Sequence, residues 1–158
     1  MAMNLSDYLL DQQDQEWAGI LADWAWLLPS DLTVWMVNRF GDIIFVPDDG
    51  TVHFLDIGAG FVRQLPGSRE EVFTQAVAGG HAGNSLVVSL TDNCVASGLT
   101  LGPGQCYTFK VAPVFGGKYG PDNVEVGDLA VTYRLLAQIH RQIKGLRDGG
   151  QVRVVLEA

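Results

Sequence analysis

The fold is decided by the stretch Gly41-Asp-Ile-Ile-Phe-Val-Pro-Asp-Asp-Gly-Thr-Val-His-Phe-Leu-Asp56. It places an apolar run rich in β-branched and aromatic residues on either side of Asp48-Asp49-Gly50. An Asp-Gly pair readily adopts the positive φ angles of a tight turn, so the stretch predicts a β-hairpin. Residues 33–40 before it and 61–65 after it have the same strand-forming composition. Together these runs predict a four-stranded antiparallel meander.

Helical patterns flank the meander. Apolar residues recur at near-helical spacing over 4–28, where Ser6 is a plausible N-cap and Pro29 marks the end. Ser68 and Glu71 have the spacing of a capping box, and Asp128 precedes the longest helical pattern. Helices are therefore predicted over 4–28, over 69–77 up to Gly79-Gly80, over 86–96 from a start at Asn84 or Ser85, and over 129–144.

The remaining segments complete the predicted topology. Residues 106–111 predict a strand, 112–127 a loop rich in Gly and Pro, and 152–156 either a short last strand or a loose tail. A helix, a meander and then helices with one strand predict an α+β fold, a single domain with an antiparallel sheet packed by several helices. We divide it into an N-terminal helical segment, 1–30, and an α+β unit, 31–158, that form one compact unit.

Composition narrows the class of protein. The chain has 158 residues, 47% hydrophobic and 18% charged, which fits one globular domain. Its apolar runs are too short to span a membrane, and its start lacks the basic and apolar regions of a signal peptide. Two cysteines are too few for a disulfide framework. We expect a reduced, cytoplasmic protein without a membrane partner.

Charge is distributed unevenly along the chain. The net charge is −8, and the first 60 residues carry ten acids and the single base Arg39, a balance of −9. Such a surface repels phosphate backbones, so we expect no direct contact with nucleic acid. It would attract a basic partner and speed its capture. The alternative interpretation is that the negative charge keeps the protein soluble and has no role in binding.

No residue pattern indicates a metal or cofactor site. The histidines are His53, His81 and His140, and neither a helical i, i+4 pair nor a Cys-x-x-Cys is present. We expect His140 to hydrogen-bond a loop carbonyl. An alternative function is a small-molecule-binding domain or an enzyme, with a pocket that contains Cys106, His140 and the loop 115–121.

Two exposed segments are candidates for contact with a partner. The hairpin tip Asp48-Asp49 is explained by turn formation, but it would also suit contact with a basic protein. Lys118 and Tyr119 place a cation and an aromatic ring on a long loop, where binding residues often lie. The same loop could equally be packed onto the sheet by its aromatic residues.

Three blocks of sequence carry a resemblance to a known family. They are the hairpin quoted above, the block Leu101-Gly-Pro-Gly-Gln-Cys-Tyr107 and the block Gln138-Ile-His-Arg-Gln142. Over about residues 35–144 the chain resembles the C-terminal domain of type VI secretion immunity proteins that protect a cell from its own DNase toxin. The resemblance implies a cytoplasmic immunity protein that binds and neutralises a cognate toxin in a stoichiometric complex. The toxin would be a basic nuclease encoded by the adjacent gene.

The resemblance implies no catalytic residue, no cofactor and no enzymatic activity. Combined with the acidic N-terminal part, it leads us to expect a toxin-binding face with an acidic part and a loop part. The expected contact residues are Asp42, Asp48, Asp49, Asp56, Lys118 and Tyr119.

Overall fold

The computed structural model describes residues 4–78, 85–146, 150–151 and 153–157. Within them, an antiparallel sheet has the strand order β1-β2-β3-β4 of a meander, as predicted. Its strands are β1 (Thr33–Val37), β2 (Ile43–Val46), β3 (Val52–Asp56) and β4 (Phe61–Leu65). The predicted turn is present, since Gly50 has φ +81° and its N–H donates to the Pro47 carbonyl over 3.0 Å. The chain is an α+β domain, and the boundary expected at residue 30 stays a prediction.

Of the α-helices described, one precedes the meander and three follow it. They are α1 (Trp17–Leu21), α2 (Arg69–Ala78), α3 (Val88–Ala96) and α4 (Leu129–Ile143). The Ser68 hydroxyl accepts from the Glu71 N–H at 3.2 Å, and Asp128 accepts from the Val131 N–H at 2.9 Å, so both predicted N-caps are confirmed. The expected stop at Gly79-Gly80 and start at Asn84 lie outside the described residues. None of the helices described is long and apolar enough to cross a membrane.

The single N-terminal helix predicted over 4–28 is wrong. The segment instead contains a 3-10 turn at Leu5–Asp7, then α1 and a second 3-10 turn at Ala22–Trp24. Between the first turn and α1, residues 9 and 10 pair with the end of β1: the Leu10 N–H donates to the Val37 carbonyl at 2.8 Å, and Leu9 forms a bridge with Asn38. Pairing with the end of β1 therefore outweighs the helical spacing of the apolar residues. Asn4, rather than Ser6, caps the first turn.

The loop predicted over 112–127 ends in a strand that the sequence did not indicate. Strand β5 (Gln105–Phe109) pairs antiparallel with β6 (Val124–Asp128). The signal is weak because β6 has only two apolar residues and contains Gly127. A Cβ at Gly127 would lie 2.9 Å from the Thr108 Cγ2, so the glycine allows close approach of β5. Packing in three dimensions, rather than local propensity, stabilises this strand.

The C-terminal residues 153–157 form no strand in the described structure. They lie along α4, where the Val155 N–H donates to the Gln142 side chain at 2.9 Å and the Glu157 N–H to Gln138 at 2.6 Å. Of the two alternatives for this segment, the tail is the one observed, and side chains of α4 hold it.

The core lies on both faces of the sheet, since successive strand residues point to opposite sides. One face packs on α4 and the N-terminal segment through Val37, Ile43, Phe45, Leu55, Trp24, Leu129 and Tyr133. The other face packs on α2 through Met36, Ile44, Phe54, Leu65, Val72 and Leu86. A further cluster joins α3 to the β5–β6 ribbon through Leu90, Cys94, Tyr107 and Val124.

Candidate functional site

A cavity of about 250 Å³ opens where β3 and β4 meet the β5–β6 ribbon and α4. Its first wall follows from strand register. Phe54 pairs with Arg63 and Asp56 pairs with Phe61, and paired residues project to the same face. The four side chains therefore share one face of the β3–β4 ribbon, and all of them line the cavity.

The opposite side of the cavity is an aromatic wall, formed by Phe40, Tyr107, Phe109 and Tyr119. Ring centroids are 5.4 Å apart for Phe40 and Tyr107, 5.3 Å for Phe40 and Phe109, and 5.3 Å for Phe109 and Tyr119. These spacings are those of favourable aromatic pairs, so the rings support one another. Phe40 and Tyr107 are buried, whereas Tyr119 is 61% exposed and forms the rim.

Two carboxyl groups with different environments lie at the cavity. Asp42 is only 7% exposed and accepts from the Ile57 N–H and from the Asn38 side chain, both at 2.9 Å. Burial, with a smaller contribution from the negative charge of Asp56, raises the pKa of Asp42 to about 8. Asp56 is half-buried and accepts from the Ala59 N–H at 2.9 Å. Asp56 is thus the carboxylate that can face a ligand, while Asp42 holds the turn after β1.

The burial of Asp42 corrects the expectation that it is a surface contact. A Gly-Asp turn is normally exposed, but here Asn38 and the Ile57 amide satisfy the carboxyl group inside the protein. Lys118 and Tyr119 are exposed, as a contact role requires. The Lys118 carbonyl accepts from the Asn123 side chain at 2.9 Å, which fixes this part of the loop.

Asp48 and Asp49 are exposed at the hairpin tip, which is the turn 48–50. The Asp49 carboxylate accepts from the Thr51 hydroxyl and from the Thr51 N–H, the latter at 2.9 Å. These two hydrogen bonds lower the pKa of Asp49. Asp31 lies beside the tip, since it accepts from the Asp48 N–H at 3.1 Å. Asp56 is the last of the five residues of β3, whose four steps at about 3.3 Å each span roughly 13 Å, so the tip and Asp56 lie at opposite ends of this strand. The expected contact residues thus form two groups rather than one.

Among the described residues, Tyr119 of the loop 115–121 lines this cavity, whereas Cys106 and His140 do not. Cys106 is fully buried against the Thr132 hydroxyl at 3.8 Å, and burial raises its pKa to about 12. A reactive thiol needs the opposite shift. The ring Nε2 of His140 lies 2.8 Å from the Ile57 carbonyl, which confirms the predicted hydrogen bond. Because a carbonyl only accepts, that nitrogen carries the proton.

Sequence reasoning missed most of the cavity. Strict alternation along β3 and β4 could have placed Phe54, Asp56, Phe61 and Arg63 on one face. No local signal brings Phe40 and Phe109 to them, because these residues come from separate elements. Among the described residues, no group of His, Cys, Asp or Glu is arranged to hold a metal ion, and His81 lies outside that part of the chain.

Comparisons with known proteins agree with the resemblance drawn from the sequence. Residues 69–140 match the family described as T6SS immunity protein Tdi1, C-terminal. This segment runs from α2 into α4 and contributes Tyr107, Phe109 and Tyr119 of the aromatic wall, whereas the hairpin tip and Asp56 precede it. The resemblance to type VI secretion immunity proteins is confirmed over residues 69–140, and its extension to the hairpin 41–56 stays a prediction.

A solved structure has a related fold. It is the crystal structure of Atu4351 from Agrobacterium tumefaciens, which is 20% identical, with a TM-score of 0.51 over 77% of this chain and 62% of that chain. At this identity the likeness shows the fold alone, and this chain spans less than two thirds of that protein. The chain has no match among curated protein sequences.

Proposed function

We propose that this chain, whose residues 69–140 match the C-terminal family of type VI secretion immunity proteins, neutralises a cognate DNase toxin in the cytoplasm. The family match is the observation that carries the proposal. An immunity protein needs a surface that fits its toxin and needs no reaction centre. The buried, high-pKa thiol of Cys106 is in keeping with that role.

The distribution of exposed acids supports a basic partner. Apart from the buried Asp42 and the half-buried Asp56, all the acids among the first 60 residues are exposed. A DNase must present Lys and Arg to phosphate groups, so an acidic protein competes with DNA for the same basic surface. Opposite charges also accelerate encounter, and a rapid encounter helps to intercept the toxin before it cleaves DNA.

The structure favours the hairpin tip as the part of the expected face that meets the toxin first. Asp48 and Asp49 are exposed, project from a turn and have Asp31 as a neighbour. Asp56, Lys118 and Tyr119 lie at the other end of β3 and would form a second contact. In this proposal Asp42 supports the second contact from inside and does not touch the toxin.

Co-expression with the product of the adjacent gene tests the function. We expect the two proteins to co-elute as a 1:1 complex and the partner's DNA cleavage to be suppressed in proportion to bound immunity protein. Failure to form a complex, with a neighbour that is not toxic, would contradict the immunity function. A complex with a toxin that attacks another polymer would contradict only the DNase assignment.

A pair of charge-neutral variants tests the hairpin tip. Asp48→Asn with Asp49→Asn removes two charges, and Asn at position 49 can still accept from the Thr51 N–H. We expect the association rate to fall about threefold to tenfold at low salt and to depend less on ionic strength. The matched control is Glu70→Gln with Glu125→Gln, two exposed acids outside the acidic N-terminal part. Equal rates for both double variants would reject the hairpin tip as a contact.

A further inference from the structure

The cavity combines aromatic faces with one accessible carboxylate. The aromatic wall occupies one side, and Phe61, which is 42% exposed, and Asp56 occupy the other. Aromatic faces attract cations through their quadrupole, and a carboxylate adds a charge-assisted hydrogen bond. Within the described part of the chain, the Ala59 N–H donates to Oδ1 of Asp56, and Oδ2 is left to accept from a ligand.

We infer that this cavity binds the guanidinium group of an arginine side chain from the partner protein. The inference rests on the proposed function, because a basic DNase presents arginine to phosphate and the same side chain can be captured here. A planar guanidinium stacks on aromatic rings and pairs with a carboxylate, which suits it to these walls better than the compact ammonium group of lysine.

The size of the cavity favours a single side chain over a cofactor. Its volume of about 250 Å³ lies below the roughly 300–1,000 Å³ typical of small-molecule sites. Interfaces concentrate their binding energy where an arginine or an aromatic residue fills such a pocket, surrounded by contacts that exclude water. The exposed rings of Phe61 and Tyr119 are placed to provide those surrounding contacts.

One wall of the cavity already accommodates a guanidinium group. The guanidinium of Arg63 lies over the Phe54 ring, 5.1 Å from its centroid, and donates to the Ser85 hydroxyl at 3.1 Å. Because Phe54 and Asp56 are two residues apart on β3, the Arg63 pair lies about 7 Å along the strand from the Asp56 position. The incoming guanidinium therefore takes the Asp56 end, beside Tyr119, while Ser85 keeps Arg63 at the other end.

The test uses the intact chain and two probes of nearly the same shape, N-acetyl-arginine methylamide and N-acetyl-citrulline methylamide. Citrulline replaces the charged guanidinium with a neutral urea. In a ¹⁵N NMR titration, we expect the arginine probe to shift the amides of 56–59 and Tyr119 saturably in the millimolar range. We expect the citrulline probe to bind about tenfold more weakly, since charge-assisted hydrogen bonds are much stronger than neutral ones. Equal binding of both probes, or no shift at these amides, would overturn the inference.

Variants locate the site. Asp56→Asn keeps an acceptor for the Ala59 N–H but removes the charge, and Tyr119→Ala removes the exposed ring. We expect each to weaken the arginine probe about tenfold, whereas Glu125→Gln on β6 should leave it unchanged. Unaltered affinity in Asp56→Asn would refute the assigned contact. The NMR spectrum of each variant shows whether it is folded.

The toxin complex separates this inference from the proposed function. If the complex forms and Asp56→Asn leaves its Kd within about twofold, the arginine site is wrong and the immunity function stands. If the arginine probe binds in the cavity but the adjacent gene product does not, the cation site is supported and the immunity function fails.

Discussion

Replacement of Gly60 by alanine should destabilise the protein far more than its position in a turn suggests. Gly60 ends the turn between β3 and β4 with φ +79°, and its N–H donates to the Asp56 carbonyl at 2.8 Å. A Cβ at this position would lie 2.4 Å from the Nδ1 of His140 and 2.7 Å from its Cε1. The buried imidazole ring would have to move.

Three separate costs contribute to the expected loss. A left-handed φ costs an alanine about 1 kcal/mol relative to glycine. Displacement of His140 breaks its hydrogen bond to the Ile57 carbonyl, and a buried group left without its partner costs about 1–3 kcal/mol. The ring also packs 5.7 Å from Trp24, and overpacking there adds about 1–3 kcal/mol. We expect Gly60→Ala to lower the free energy of unfolding by about 3–7 kcal/mol in total.

Gly50→Ala is the matched control, because Gly50 has φ +81° in a turn of the same sheet and a Cβ there would meet no atom within 4 Å. It should lose only the conformational cost of about 1 kcal/mol. Urea unfolding at pH 7, followed by tryptophan fluorescence, measures both variants. If the two variants differ by less than about 0.5 kcal/mol, the packing of His140 on Gly60 is not as described. In the double variant Gly60→Ala with His140→Ala, the loss should be smaller than the sum of the two single losses.

Two further predictions concern buried titratable groups. Since burial raises the pKa of Asp42 to about 8 in the folded state, the folded protein holds a proton that the unfolded chain releases above about pH 4. The stability that this proton contributes is complete below about pH 4 and is lost progressively as pH rises through 8. The free energy of unfolding should therefore fall from pH 6.5 to 8 and level off above pH 8. Asp42→Asn should abolish that fall, and an equally steep fall in the variant would refute the assignment. The thiol of Cys106 is fully buried with a pKa raised to about 12, so in folded protein at pH 8 a charged disulfide reagent should modify it at least about 100-fold more slowly than in urea. Rapid modification of the folded protein, read by mass spectrometry of the Cys106 peptide, would show that the site opens to solvent.

Local signals in the sequence determined much of the fold. Gly50 specified the central hairpin because glycine readily takes the positive φ of +81° that this turn needs. Ser68 and Asp128 specified the starts of α2 and α4 because their side chains accept from backbone N–H groups a few residues away. Each of these interactions is complete within a few residues of the chain, so it could be read without knowledge of the tertiary structure. The sequence blocks that resemble type VI secretion immunity proteins could also be recognised without the tertiary structure.

Features that depend on distant partners follow from the tertiary structure and could not be read locally. The segment 4–28 has a helical pattern, but Leu10 pairs with Val37 instead of forming part of a helix. Residues 124–128 form a strand because they pair with β5. Asp42 was expected at the surface, yet Asn38 and the Ile57 amide hold it inside. The cavity likewise needs residues of the meander, the β5–β6 ribbon and α4 together. Backbone propensity acts over a few residues, whereas burial and the shape of a cavity depend on which elements pack against each other, and that is set by the whole chain.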